Sequence, residues 1–245
     1  MSITVLEAIK LDIFKNFRLI AGHRGLENKI EKVGILDYEY DIKTKEPLYE
    51  EQFEKGQFVI SSLLFAKDDE NLILDAVQCL INDEVCSLAI KNIYYNDLPS
   101  EVIELANEKS FPIFIFDKNS AYFEDIITEI MNRVRFVDNY EKIEVKVDML
   151  IKKNISKETI RELAFEINNI FKECFFVIYL KEKRYIDNDK IIVMLERIKR
   201  NINIDYATSI FKYRNGIMII STYEQLNERD KKIILGICYN VWTLI

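Results

Sequence analysis

The sequence predicts an α/β protein: a mostly parallel α/β domain over residues 1–120, one long connecting helix over 121–153, and a small second α/β domain over 154–245. Three observations carry this. Between residues 56 and 116, β-branched and aromatic runs alternate with helical patterns, and strand, helix, strand, helix, strand implies parallel pairing with right-handed crossovers. From Ala121 to about Lys153 there is neither proline nor glycine, and the apolar positions Phe123, Ile127, Ile130, Val134 and Val137 step by four and three, the spacing of a heptad seam. Beyond residue 154 a shorter α/β pattern includes the turn sequence Arg214-Asn215-Gly216 of a hairpin.

Taken in order, Ser2 or Thr4 is suited to cap a helix over residues 5–9, and residues 17–21 read as a strand ending at Gly22. Gly22 to Asn28 has turn chemistry, and residues 32–36 form another strand before an acidic loop reaches Gly56. Residues 57–62 are a strand. Residues 69–81 are a helix, because Leu72, Ile73, Ala76, Val77 and Leu80 share one face. Residues 85–90 give a second strand, Pro99 opens a second helix through Val102, Ile103, Leu105 and Ala106, and residues 111–116 give a third strand. The long helix changes phase once, to Tyr140, Ile143, Val147 and Leu150. Ser156 then caps a helix with Ile160, Leu163, Ala164, Ile167, Ile170 and Phe171 on one face. A strand at 175–180, a helix at 190–199, strands at 206–213 and 216–221, and a last helix at 228–244 complete the pattern.

Composition narrows the function. The net charge is −7, with a pI near 5.1; nucleic-acid affinity comes mainly from clustered Lys and Arg, so DNA is not the expected partner of this segment. The four cysteines, Cys79, Cys86, Cys174 and Cys238, form no CxxC pair, and are expected as buried small residues in a reducing cytoplasm rather than as disulfides or zinc ligands. Glu7 lies within the first ten residues, no apolar run of about 18 residues occurs, and a soluble protein without a signal peptide is expected.

Several features, in order over residues 3 to about 130, resemble the N-terminal domain of the PucR-type purine-catabolism regulators. They are Gly25-Leu26-Glu27-Asn28-Lys29-Ile30 before a strand, Gly56-Gln57-Phe58-Val59-Ile60-Ser61-Ser62, the strand at 85–90, and Leu98-Pro99 leading through a helix to Phe111-Pro112-Ile113-Phe114-Ile115-Phe116. The family's second motif usually has two glycines, a short strand and Thr-Thr-Gly. Here Lys55-Gly56 and Ser61-Ser62-Leu63 stand instead, keeping the hydroxyls without the last glycine. The resemblance implies a ligand-sensing region of a bacterial transcription regulator, responding to a purine-pathway or other nitrogenous metabolite. It also implies that the DNA-reading helix-turn-helix is outside this chain or missing from this member. The second domain resembles either a small GAF-like domain or a degenerate GGDEF-like domain. For the latter, the turn at Tyr213 to Gly216 lacks the carboxylates that cyclase metals need.

Candidate chemistry is sparse. His23 is the one histidine and reads as a solvated turn residue, and GxxxxGK[ST], GxGxxG and HExxH patterns are absent. Asp68-Asp69-Glu70 and Glu50-Glu51 read as solvated loop carboxylates, and no metal or cofactor is expected. Ligands of parallel sheets sit outside the carboxyl ends of the strands. Asp37, Ser61, Ser62, Lys91 and Asp117 each follow or end a predicted strand and are the candidate ligand residues. Phe123, Ile127, Ile130, Val134 and Val137 are the candidate homodimer seam. The leading expectation is a ligand-sensing, dimerising, non-enzymatic regulatory module; the alternatives are a protein-interaction module and an enzyme acting on small metabolites.

Overall fold

The computed structural model describes residues 2–37, 53–152, 154–181, 188–201 and 206–224. The chain divides into two compact units, Met1–Asp138 and Asn139–Ile245.

In the first unit, strand β1 (Ile3–Thr4) runs straight into helix α1 (Val5–Ala8). Thr4 sets that junction: its hydroxyl accepts from the Glu7 amide at 3.1 Å, and its own amide donates to the Glu7 carboxylate at 2.7 Å, a reciprocal capping box. Strands β2 (Phe17–Ala21), β3 (Lys29–Ile30) and β4 (Lys32–Ile35) follow. Then come β5 (Gln57–Ser61), α2 (Asn71–Asn82), β6 (Ser87–Lys91), α3 (Ser100–Glu108) and β7 (Ile113–Phe116). β1 pairs with β3 in a two-stranded ribbon, and the main sheet has the order β2-β7-β6-β5-β4. β4, β5, β6 and β7 are parallel; β2 is antiparallel to β7 at one edge. The parallel strand–helix–strand reading therefore holds.

Parallel strands read as continuous apolar runs because both faces are covered, and here successive residues serve two cores. Val59, Leu88, Ile90, Ile113 and Ile115 face Ile73, Ala76, Val77 and Leu80 of α2 and Val102 and Ala106 of α3. Phe58, Ile60, Ala89, Phe114 and Phe116 face α1 and the first half of α4 (Phe123–Ile151), through Ile126, Ile130 and Val134. The long helix is thus the third layer of the first unit as well as a connector. Of the expected dimer seam, Ile130 and Val134 are buried, and Phe123, Ile127 and Val137 pack half-buried on the same core. The apolar stripe covers its own sheet.

In the second unit, α4 continues to Ile151 and is followed by α5 (Lys157–Ile167), β8 (Cys174–Lys181), α6 (Asn188–Asn201), β9 (Thr208–Tyr213) and β10 (Gly216–Tyr223). The sheet order is β8-β10-β9, antiparallel throughout, so β8 and β9 are parallel with β10 between them, a split βαβ unit. Ser156 caps α5, its hydroxyl accepting from the Thr159 amide at 3.1 Å. Of the apolar face expected here, Ile160, Leu163, Ala164 and Ile167 lie on α5, but the helix ends there and Ile170 and Phe171 fall in the following turn; α5 has no buried residue and Ile160 is exposed.

The hairpin falls between the expected strand bounds at 213 and 216, although its central pair is Arg214-Asn215 rather than Asn-Gly. Tyr213 pairs with Gly216, so the turn residues are Arg214 and Asn215, with Arg214 left-handed at φ 50°. Gly216 is needed for a different reason: a Cβ there would lie 2.4 Å from the Leu180 carbonyl oxygen on β8. α4 grips this hairpin, since the Tyr213 hydroxyl and the Arg214 guanidinium both donate to Asp148, at 2.6 and 3.0 Å. Burial and the Asp148 carboxylate push the Tyr213 phenol up to about 12. The expected last helix at 228–244 lies outside the described residues, as does Cys238.

Candidate functional site

All four parallel strands of the first unit end on one edge of the sheet, and each carries a polar residue there. The register sets Ile35 beside Ile60, Ser61 beside Ile90, and Lys91 beside Phe116. Asp37, Ser61, Ser62, Lys91 and Asp117 therefore lie along the carboxyl ends of β4, β5, β6 and β7 in turn.

The structure joins the first three tightly. One Asp37 oxygen accepts from the Ser61 hydroxyl at 2.6 Å and the Leu64 amide at 3.3 Å; the other accepts from the Ser62 amide and hydroxyl, both at 2.7 Å. The Ser61 hydroxyl also accepts from the Leu63 amide at 2.9 Å. Ser61 and Ser62 are buried, and Asp37 is half-buried. One carboxylate thus ties the end of β4 to the turn after β5, and each short contact to it is charge-assisted.

That turn requires a left-handed residue, and Leu63 supplies it with φ 56° and ψ 35° where the resembling family has glycine. A non-glycine residue in this region costs about 1–2 kcal/mol. Leu63 is fully buried in the α2–α3 core, and burying a leucine side chain contributes about 1.5–3 kcal/mol. Burial outweighs strain, so the cradle keeps its shape without the glycine.

Lys91 and Asp117 do not join the Asp37 cluster. The Lys91 ammonium lies over the rings of Tyr122 and Phe123, 5.2 and 5.6 Å from their centroids. Asp117 turns its carboxylate to the Asn119 amide at 2.8 Å while its carbonyl accepts from the Ser120 hydroxyl at 2.7 Å. Tyr122 is largely exposed beside Lys91. It is the addition the structure makes to this edge, and the sequence hid it in the first turn of the long helix.

The opposite, amino-terminal edge holds the first of the motifs that carry the family resemblance, Gly25 to Ile30. A Cβ on Gly22 would sit 2.0 Å from the Phe111 carbonyl oxygen, and one on Gly25 would sit 1.9 Å from that of Ser110. The Asn28 side-chain amide donates to the Cys86 and Ser110 carbonyls, at 3.1 and 3.3 Å. These residues hold backbone against backbone where β6 and β7 begin. His23 is exposed in this turn. Nearby, Cys86 is buried and donates its thiol to the Gln57 carbonyl at 2.9 Å; burial pushes the thiol up to about 12, which removes it as a nucleophile at neutral pH. Cys174, expected to be buried, is exposed on β8.

Among the described residues no group of three or more His, Cys, Asp or Glu side chains is arranged to hold a metal ion, and no helix is long and apolar enough to cross a membrane. Asp68 and Glu70 are exposed; Glu50 and Glu51 lie outside the described residues.

The first unit is thus a three-layer α/β domain whose mostly parallel sheet carries polar residues along its carboxyl edge. The model of the PucR, or purine catabolism regulatory protein-like, family matches residues 7–134, just over half of the chain, and the chain belongs to that family. It is also similar to the purine catabolism regulatory protein of Bacillus subtilis (strain 168), with 27% identity over 110 residues. That alignment covers 44% of this chain and 19% of the relative, so the chain spans about a fifth of the relative it matches.

Proposed function

We propose that this chain is the ligand-sensing, dimerising regulatory region of a bacterial, cytoplasmic transcription regulator, and that it performs no catalysis. DNA is reached through a part of the regulator other than these residues. The observation that carries the reading is the alignment of Asp37, Ser61, Ser62, Lys91 and Asp117 along the carboxyl ends of four neighbouring parallel strands, the edge where such sheets take ligands. Within it the Asp37 clamp shapes the turn. Lys91 and Asp117, with the exposed Tyr122 ring, offer a cation, a carboxylate and a flat aromatic face, while the Ser61 and Ser62 hydroxyls are held by Asp37. That set suits a small, planar, nitrogenous metabolite, and purine-pathway compounds fit it.

In this reading the metabolite favours one of two states of the first unit, and α4, which belongs to both units, carries the bias onward. A differential affinity of about 1–3 kcal/mol suffices for such coupling. The test is a thermal-shift screen against purine-degradation intermediates, nucleobases and amino acids, since a ligand that binds only the native state raises Tm. A saturable shift abolished by Lys91→Ala supports the reading; no shift with any compound refutes it.

Dimerisation along Phe123, Ile127, Ile130, Val134 and Val137 would call on side chains that already cover the sheet. Replacing Ile130 and Val134 by Glu is therefore expected to melt the first unit, measured as loss of its cooperative transition, rather than to yield a folded monomer.

A further inference from the structure

Sheet edges are open templates for strand pairing, and natural proteins blunt them with charges, bulges, short strands or a cover. Of the four outer strands of the two larger sheets, three are treated in this way. β2 carries Arg18 and a register shift between Leu19 and Ala21; β4 is four residues long and opens on Lys32, paired with Glu54; β9 is mostly buried against α6. β8 has none of these. It is eight residues long, runs in unbroken register with β10, and carries no charge, proline or glycine from Cys174 to Leu180. Its edge away from β10 has no strand partner among the described residues. Along one face Phe175, Val177 and Tyr179 are 69%, 46% and 39% exposed.

We propose that a second copy of this chain covers this edge, the two β8 strands pairing antiparallel about a two-fold axis at Val177. This rests on the homodimer part of the function proposed above and gives it a surface. The strand is complementary to itself in that register. Val177 meets its own counterpart, and Phe175 falls opposite Tyr179 of the other copy on the same face, with the Tyr179 ring leaning over Gly216 toward β9, where its hydroxyl donates to the Tyr213 carbonyl at 3.3 Å; the same pair repeats on the far side of the axis. Beyond them Lys181, at one end, falls opposite Glu173, just before the other end, so each rim of the pairing closes on opposite charges. Glu173 is exposed and pairs with the surface guanidinium of Arg161. An isologous contact of this kind closes after two copies, and the two three-stranded sheets become one six-stranded sheet.

The experiment is sedimentation of the full chain at micromolar concentration, with four variants. The wild type is expected at about twice 29.1 kDa. Val177→Lys sets two ammonium groups face to face at the axis while changing a side chain that one copy leaves half exposed; it is expected to halve the mass with an unaltered circular dichroism spectrum. Lys181→Glu is expected to weaken the dimer about tenfold, through two like-charge contacts in place of two attractive ones. The double swap Glu173→Lys with Lys181→Glu is expected to restore it, a rescue that simple loss of folding does not give. On a Cys174→Ser background, Val177→Cys is expected to form a disulfide-linked dimer on mild oxidation, because directly opposed strand residues lie within disulfide reach. A Val177→Lys chain that still sediments as the wild-type dimer overturns the β8 pairing and leaves the homodimer standing. A monomeric wild type overturns both, and the thermal-shift response of the first unit then decides the sensor reading separately.

Discussion

At the amino ends of the parallel strands the first unit is held by backbone pressed against backbone, whereas at their carboxyl ends it is held by one carboxylate. Gly22 and Gly25 let the turn after β2 lie on the Ser110–Phe111 backbone with no room for a methyl group. Asp37 accepts four hydrogen bonds to bring β4 to the turn after β5. The first arrangement tolerates no change of side chain and so writes itself into the sequence as a motif. The second tolerates other donors and even a leucine in a left-handed position, and stays polar and partly open. Family identity is legible at one edge and function is proposed at the other.

Four substitutions sharpen or break this contrast. Gly25→Ala should be the most damaging: a Cβ 1.9 Å from a carbonyl oxygen forces the backbones apart, and a loss of more than about 4 kcal/mol is expected, the exceptional range for single changes, seen as failure of the first unit to unfold cooperatively. Asp37→Ala orphans two hydroxyls and two amides near the core, and a hydrogen bond to a charged group contributes about 1.5–3 kcal/mol net, part of which water entering the emptied site recovers. A loss of about 2–4 kcal/mol in urea titration is expected, with the purified protein still folded. Leu63→Gly decides between strain and burial. If burial governs, the variant loses about 1–3 kcal/mol, the cost of an emptied leucine site less the strain relieved; a gain in stability would show that strain governs. Lys91→Ala should change stability by less than about 0.5 kcal/mol while removing the ligand response. A large drop in Tm would make Lys91 part of the scaffold and erase the distinction between the two edges.

Much of the fold was legible because periodicity is strong where both faces of an element are buried. β2 matches its expected bounds, β5 falls short by one residue, and α2 and α3 follow their apolar faces. β1 and β3 were missed, since two residues each have no period. Heptad spacing is equally the spacing of a helix lying on a sheet, and the residues of the expected seam on α4 pack on the core of the first unit. The run from Phe111 to Phe116, apolar at every position, already required a cover on both faces, and the helices counted from the sequence supplied only one. Candidate residues on the carboxyl edge could be named from strand ends, but the union of Asp37 with Ser61 and Ser62 could not, because it depends on the register between β4 and β5. Exposure of Phe175, Val177 and Tyr179 was hidden for a related reason: alternation reveals a strand and says nothing of what lies against it.

The sheet order also fixes when the first unit can form. Among the described residues β2, complete by Ala21, pairs with β7 alone, which begins at Ile113, so the earliest strand of the main sheet to be synthesised waits for the last. Domains form during synthesis at about 5–20 residues per second, which leaves β2 without its partner for several seconds. Closing so long a loop is a slow, non-local step. Arg18 on β2, exposed in the finished fold, keeps a charge on that waiting strand, the kind of residue that disfavours pairing of an open strand with another chain.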